Sequence, residues 1–106
     1  MTGEVVMALY KPHTGKDGEL TKLIARHVPL LRELDLVTER PTLLLRASNG
    51  TYVEIFEWVS RASARAHDHP EVAEIWEAMG KVADFVSLDS LEESHKAFTH
   101  FAPVTL

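Results

Sequence analysis

Between Glu4 and Tyr10, apolar residues fill both alternating sets, Val5/Met7/Leu9 and Val6/Ala8/Tyr10. That pattern predicts a strand covered on both faces. The stretch from Lys11 to Gly18 is turn chemistry, with Asp17 placed to cap a helix. Leu20, Leu23, Ile24, His27, Leu31 and Leu34 then recur at helical spacing, so one stripe of that helix faces a core. Pro29 lacks an N–H and its ring crowds the preceding turn, so the helix is expected to kink or restart near His27.

Pro41 opens a second apolar run, Thr42 to Ala47. Ser48-Asn49-Gly50 is a hairpin turn signal, and Thr51 to Val59 is rich in β-branched and aromatic residues. Ser60 is expected to cap a short helix through Ala66, which His69-Pro70 breaks. Pro70 suits the first turn of a further helix, with Glu71 and Glu74 near its positive end and Val72, Ile75, Trp76, Met79, Val82 and Val86 on its buried stripe. Leu88 to Ser94 reads as a helical turn and a loop. Ala97 to Leu106 reads as a last strand or extended arm, whose later part Pro103 confines to a sheet edge.

The predicted order is β-α-β-β-α-β, a ferredoxin-like α+β domain over residues 1–106: a four-stranded antiparallel sheet with two helices on one face. No internal repeat or linker divides it. This arrangement poses a physical problem, because the first and third strands are apolar on both faces. The third carries Val53, Ile55 and Val59 on one side and Tyr52, Phe56 and Trp58 on the other. Two helices cover one face and no element remains for the second. A second copy packed sheet against sheet is the expected cover, giving a homodimer, with Phe98 to Leu106 reaching onto the partner.

Composition narrows the function classes. The 106 residues are 45% hydrophobic and 25% charged, which suits a globular domain. Cysteine is absent, which removes thiolate zinc sites, iron–sulfur clusters and thiol nucleophiles together. The net charge of −5 sits unevenly: residues 51–106 hold four Lys/Arg against ten Asp/Glu. An acidic half without a basic stripe argues against nucleic acid. No apolar run approaches a membrane span, and the start Met1-Thr2-Gly3-Glu4 lacks a secretory pattern, so a cytoplasmic protein is expected. The isolated glycines form no phosphate cradle, and no nucleophile elbow is present.

The stretch Glu57-Trp58-Val59-Ser60, then Ala64, then Ala66-His67 resembles the strand-to-helix junction of the antibiotic biosynthesis monooxygenase (ABM) family, of the dimeric α/β-barrel superfamily. Trp58, Ser60 and His67 keep the family's spacing of a Trp ending the third strand, a polar cap two residues on, and a His nine residues after the Trp. Phe56 departs from it, since many relatives carry Glu there, and Glu57 points to the opposite face. The haem-degrading branch uses an Asn on the first strand, and Glu4 to Tyr10 contains none. The resemblance implies a dimeric barrel and cofactor-independent oxygenation of a phenolic or polycyclic aromatic. The alternative it leaves is a non-catalytic barrel that holds or senses a small apolar molecule.

Individual residues carry the candidate chemistry. His67, at a helix end beside a pocket, is the expected base, because deprotonating a phenol makes it a better electron donor to O₂. Its competing role is a helix cap. Glu54 shares a strand face with Tyr52, Phe56 and Trp58, so a carboxylate sits among aromatics. It is either an acid–base group or half of a structural pair with Arg46. Hairpin register decides, since a three-residue loop puts Arg46 and Glu54 on one face and a two-residue turn separates them. Trp58, Phe56, Tyr10 and Trp76 are expected to line an aromatic pocket, with a filled core as the alternative. His67-Asp68-His69 straddles a helix break with no third ligand in register, so neither a metal nor another cofactor is expected.

Overall fold

A computed structural model describes residues 3–106. Strand β1 (Glu4–Pro12) leads to helix α1 (Asp17–Glu33), and β2 (Leu43–Arg46) turns back into β3 (Tyr52–Trp58). A short helix α2 (Ala62–Ala66) precedes α3 (Pro70–Val82), which runs directly into β4 (Ala83–Phe85). Two 3-10 turns come next, Leu88–Ser90 and Glu92–His95, and β5 (Ala102–Pro103) ends the chain. The sheet order is β4-β1-β3-β2-β5, with every neighbouring pair antiparallel. The first four strands in that order have the ferredoxin-like arrangement, and β5 is an added edge.

Several expectations change. The fourth strand is Ala83–Phe85 rather than the C-terminal segment: α3 ends at Val82, and Ala83 is already extended at φ −153° and ψ 156°. The C-terminal segment lies along β2 of its own chain, where Pro103 pairs with Leu45 and Val104 N–H donates to Leu44 O at 2.9 Å. Pro103 does sit in an edge strand, where its missing N–H costs the ladder nothing. The second sheet face also has a cover from the same chain. Leu91, completely buried, packs there with Leu9, Ala47 and Val53, flanked by Val86 and Phe101. That cover is partial: Val5, Met7 and Leu43 on the same face remain 59%, 42% and 50% exposed.

Helix α1 runs unbroken through Pro29, so no restart occurs near His27. It lays Leu20, Ile24, His27, Val28 and Leu31 on the sheet, and α3 adds Val72, Ile75, Met79 and Val82 beside them. Pro70 occupies the first turn of α3, where its lacking N–H would have been unpaired in any case. The short α2 is capped by Arg61 at φ 64° rather than by Ser60.

Candidate active site

The site is built where the strand faces meet α1 and α3. The hairpin closes with Ala47 N–H donating to Thr51 O at 2.8 Å, leaving the three-residue loop Ser48 to Gly50, with Gly50 at φ +91°. This register pairs Arg46 with Tyr52 and Leu44 with Glu54, so Arg46 and Glu54 share a face. They do not pair. Arg46 reaches outward to Asp17 at 3.0 Å and lies over the Tyr52 ring, while Glu54 points inward at 1% exposure.

Glu54 meets two side chains there. The Tyr10 hydroxyl donates to Glu54 Oε1 at 2.8 Å, and His27 Nδ1 lies 2.8 Å from the same oxygen. The other imidazole nitrogen, Nε2, is 2.9 Å from the Trp76 indole nitrogen. An indole N–H can only donate, so Nε2 must be the unprotonated acceptor. The proton of this neutral ring is therefore on Nδ1 and is donated to Glu54. The chain reads Trp76 to His27 to Glu54, with Tyr10 donating from the other side. Oε2 of Glu54 is buried and has no hydrogen-bond partner among the described residues.

Burial and the neighbouring Glu54 carboxyl both push the Tyr10 hydroxyl far above its ordinary value of 10, so it stays a neutral phenol at any working pH. Tyr10 is thus a donor that holds the carboxylate, not a base.

The chain borders a cavity of about 330 Å³. Tyr10, His27, Phe56, Trp58 and Trp76 line it, with Val6 and Ala8 on β1 and Phe85 and Val86 on the far side. Its mouth follows from the shortness of β4. The last ladder bond is Val86 N–H to Leu9 O at 3.1 Å, and the next residues turn away because Ser90 N–H and Oγ both bond back to Ser87 O. Before Leu9, β1 has no strand partner on that side among the described residues. Phe85, 59% exposed, stands at this opening.

The structure thus brings Tyr10, Phe56, Trp58 and Trp76 around one space, with Glu54 directly behind Tyr10 and His27. His67 sits apart. It is exposed at the C-terminal end of α2, outside the cavity wall, and meets the site only through its ring, edge-on to Trp76 with centroids 5.0 Å apart. Spacing alone does not mark His27 as a site residue, although a signal is present in the sequence. A histidine on an otherwise apolar helical stripe and a glutamate on an otherwise aromatic strand face are both polar groups in core positions, and such groups find each other. Among the described residues, no three His, Asp or Glu side chains gather as metal ligands. No helix among them is long and apolar enough to cross a membrane.

No family model matches the chain, and no curated protein matches it. Among solved structures it is similar to tetracenomycin F2 cyclase from Streptomyces glaucescens, a type-II polyketide cyclase. The TM-score is 0.55, over 91% of this chain and 94% of that one, at 17% sequence identity. That likeness is one of fold. It supports the α+β architecture across nearly the whole chain and does not reach the reaction of the ABM family.

Proposed function

We propose that this protein is a small-molecule enzyme that takes a phenolic or polycyclic aromatic compound into the cavity beneath Trp76. Its first step is removal of a hydroxyl proton by His27. The carrying observation is the buried His27–Glu54–Tyr10 cluster, joined by the partly buried Trp76 indole, on the wall of an aromatic-lined cavity. As Nε2 accepts the substrate proton, the ring becomes an imidazolium whose Nδ1–H already bonds to the Glu54 carboxylate. Glu54 orients the base and balances the charge that develops on it. Phe56, Trp58 and Tyr10 position the ring, and a volume of about 330 Å³ suits two or three fused rings. His67 takes the lesser role of supporting Trp76 from its edge.

Two reactions start from the resulting phenolate or enolate. Attack of its carbon on a carbonyl of the same molecule, followed by loss of water, closes a ring. The fold shared with a polyketide cyclase favours this course. Electron transfer from the anion to O₂ opens cofactor-independent monooxygenation, the course implied by the ABM resemblance. Both use the same base.

The test is turnover of hydroquinones and of polyphenols carrying a ketone side chain by His27→Gln, Glu54→Gln and His67→Ala, with and without oxygen. Loss of turnover in the first two, with melting temperatures within a few degrees of the parent, is the expected result. Loss in His67→Ala alone would return the base to His67. Anaerobic turnover marks cyclisation, oxygen uptake marks monooxygenation, and binding without turnover marks a holding or sensing barrel.

The working unit in this proposal is a homodimer. Val5, Met7 and Leu43 form an apolar strip that the chain's own cover leaves bare, and a second copy laid against it would bury these side chains at about 1.5–3 kcal/mol each. Light scattering at micromolar concentration should give twice the subunit mass. A monomer there would remove the dimer and leave the active-site proposal untouched.

A further inference from the structure

The one acceptor that the proposed base offers to a substrate is already filled by the protein itself. Three side chains on the cavity wall, Tyr10, His27 and Trp76, spend polar atoms on one another or on Glu54, and the bond that joins two lining side chains directly is Trp76 Nε1–H to His27 Nε2 at 2.9 Å. We infer that the Trp76 indole N–H stands in for the substrate's hydroxyl. The ligand enters by displacing it, and the site therefore selects a hydroxyl-bearing ring over the corresponding ether or quinone. This inference rests on the reading of His27 as the base and adds what that base will accept.

The selectivity follows from the tautomer. Nδ1 carries the proton because Glu54 accepts it, so Nε2 presents a lone pair and nothing else. A phenolic O–H replaces the indole N–H as donor, exchanging one hydrogen bond for another. A methyl ether or a quinone brings only acceptors. It must leave the indole where it is, in a smaller space, or displace it and strand a buried lone pair. The lost bond corresponds to about tenfold or more in affinity.

Trp76 packs against both core clusters on the helix-covered face but is sealed into neither. It is only partly buried, and α3 is held to the sheet independently by Val72, Ile75, Met79 and Val82, all buried. The indole also makes a T-shaped contact with the His67 ring, itself exposed at the end of α2. The indole can therefore swing without undocking the helix. Trp76 is in this respect a specificity-determining residue for the site and its own resting plug.

The experiment uses the whole protein with 1-naphthol and 1-methoxynaphthalene as probes. Affinities are read by calorimetry and the two indole N–H resonances by NMR, with Trp58→Phe assigning which belongs to Trp76. The expected result is at least tenfold tighter binding of 1-naphthol, with a displaced Trp76 indole resonance at saturation by it. In Trp76→Phe, 1-naphthol should bind more tightly still, because nothing has to leave. Equal affinity for the two probes would overturn the inference while leaving the cavity reading standing, as would an unmoved Trp76 resonance at saturation with 1-naphthol. Binding of neither probe would overturn the cavity reading and the inference together. The two wild-type measurements decide the matter even if Trp76→Phe folds poorly.

Discussion

Two glutamates are buried on opposite faces of this sheet, and they do different things. Glu54, on the helix-covered face, takes both of its hydrogen bonds from side chains, Tyr10 and His27. Glu93, beneath the other face in the second 3-10 turn, takes one through Oε2 from the Ser48 main-chain N–H at 2.7 Å. Each leaves its other oxygen buried without a partner among the described residues. A peptide N–H does not give up its proton, so Glu93 is a staple that ties the hairpin loop to the C-terminal segment. An imidazole can gain and lose one, so Glu54 belongs to a chain that can carry charge. Burial of a carboxylate is common to both. The partner's chemistry decides whether the result is architecture or reactivity.

Neutralising each carboxylate in turn separates the two roles most strongly. Glu54→Gln keeps the shape and an acceptor for Tyr10 but removes the charge that steadies a protonated His27. Turnover of a reactive phenol should fall by about 10²–10⁴-fold. Glu93→Gln should leave turnover within about twofold, because its carboxyl lies on the other sheet face, away from the cavity. Steady-state rates on the two variants side by side make the measurement. Equal losses would mean that the two sites are coupled and that the division drawn between the faces is wrong.

The next effect falls on the staple's own neighbourhood. Leu91 is completely buried over Leu9, Ala47 and Val53. Truncating it to Ala should cost about 2–5 kcal/mol in urea unfolding. It should also raise amide exchange in residues 86–101 while leaving the cavity side protected. A variant that loses ligand binding as fast as it loses this cover would show the two faces to be one cooperative unit.

The legibility of the chain divides along the same line. The helix-covered face can be read because its signals are periodic. The stripe of α1, the buried positions of α3 and the aromatic face of β3 all follow from spacing, and the four cavity aromatics come with them. The pairing of Glu54 cannot, because it depends on a helix stripe and a strand face brought together from 27 positions apart. Periodicity places each residue on a surface and is silent about which surfaces meet. β4 escapes for a local reason: Ala83-Asp84-Phe85 follows the helix with no Gly, Pro or Asn between them, so nothing punctuates the change. The cover on the second face escapes because one residue, Leu91, carries most of it, inside an acidic, serine-rich stretch that reads as loop.

Tyr10 offers a smaller and more specific test. Tyr10→Phe leaves Glu54 with only His27, at a cost of about 1–3 kcal/mol near neutral pH. The parent should also show an alkaline dependence that the variant lacks. The folded hydroxyl is pushed far above its ordinary value of 10, chiefly by burial. Below pH 10 both folded and unfolded chains keep the proton, and this contribution to stability is complete. Above pH 10 only the unfolded chain releases it, so stability declines by up to about 1.4 kcal/mol per pH unit. Denaturant midpoints between pH 9 and 11 should separate the two proteins. Tyr52, raised in the same direction by partial burial and by its bond to Asp17, stays in both and supplies the common background.

The smallest expected effect lies at the acid end and belongs to Glu93. The Ser48 N–H holds its carboxyl below the ordinary 4.5. A lowered folded value means that the staple's stabilisation is complete above the ordinary value and is lost as pH falls through the folded one. Glu57, lowered by the Thr38 hydroxyl and Arg40, fades over the same range, so global unfolding cannot tell the two apart. The Ser48 amide can. Its protection against hydrogen exchange should be high above the ordinary carboxylate value of 4.5 and decline as pH falls beneath it, while the amides of β1 and β3 hold theirs. In Glu93→Gln that decline should vanish, because an amide oxygen accepts from Ser48 without titrating; in Glu57→Gln it should persist. Persistence in Glu93→Gln would assign the acid lability of the loop to something other than its buried carboxylate, and Glu93 would then no longer count as the staple between the hairpin and the chain's end.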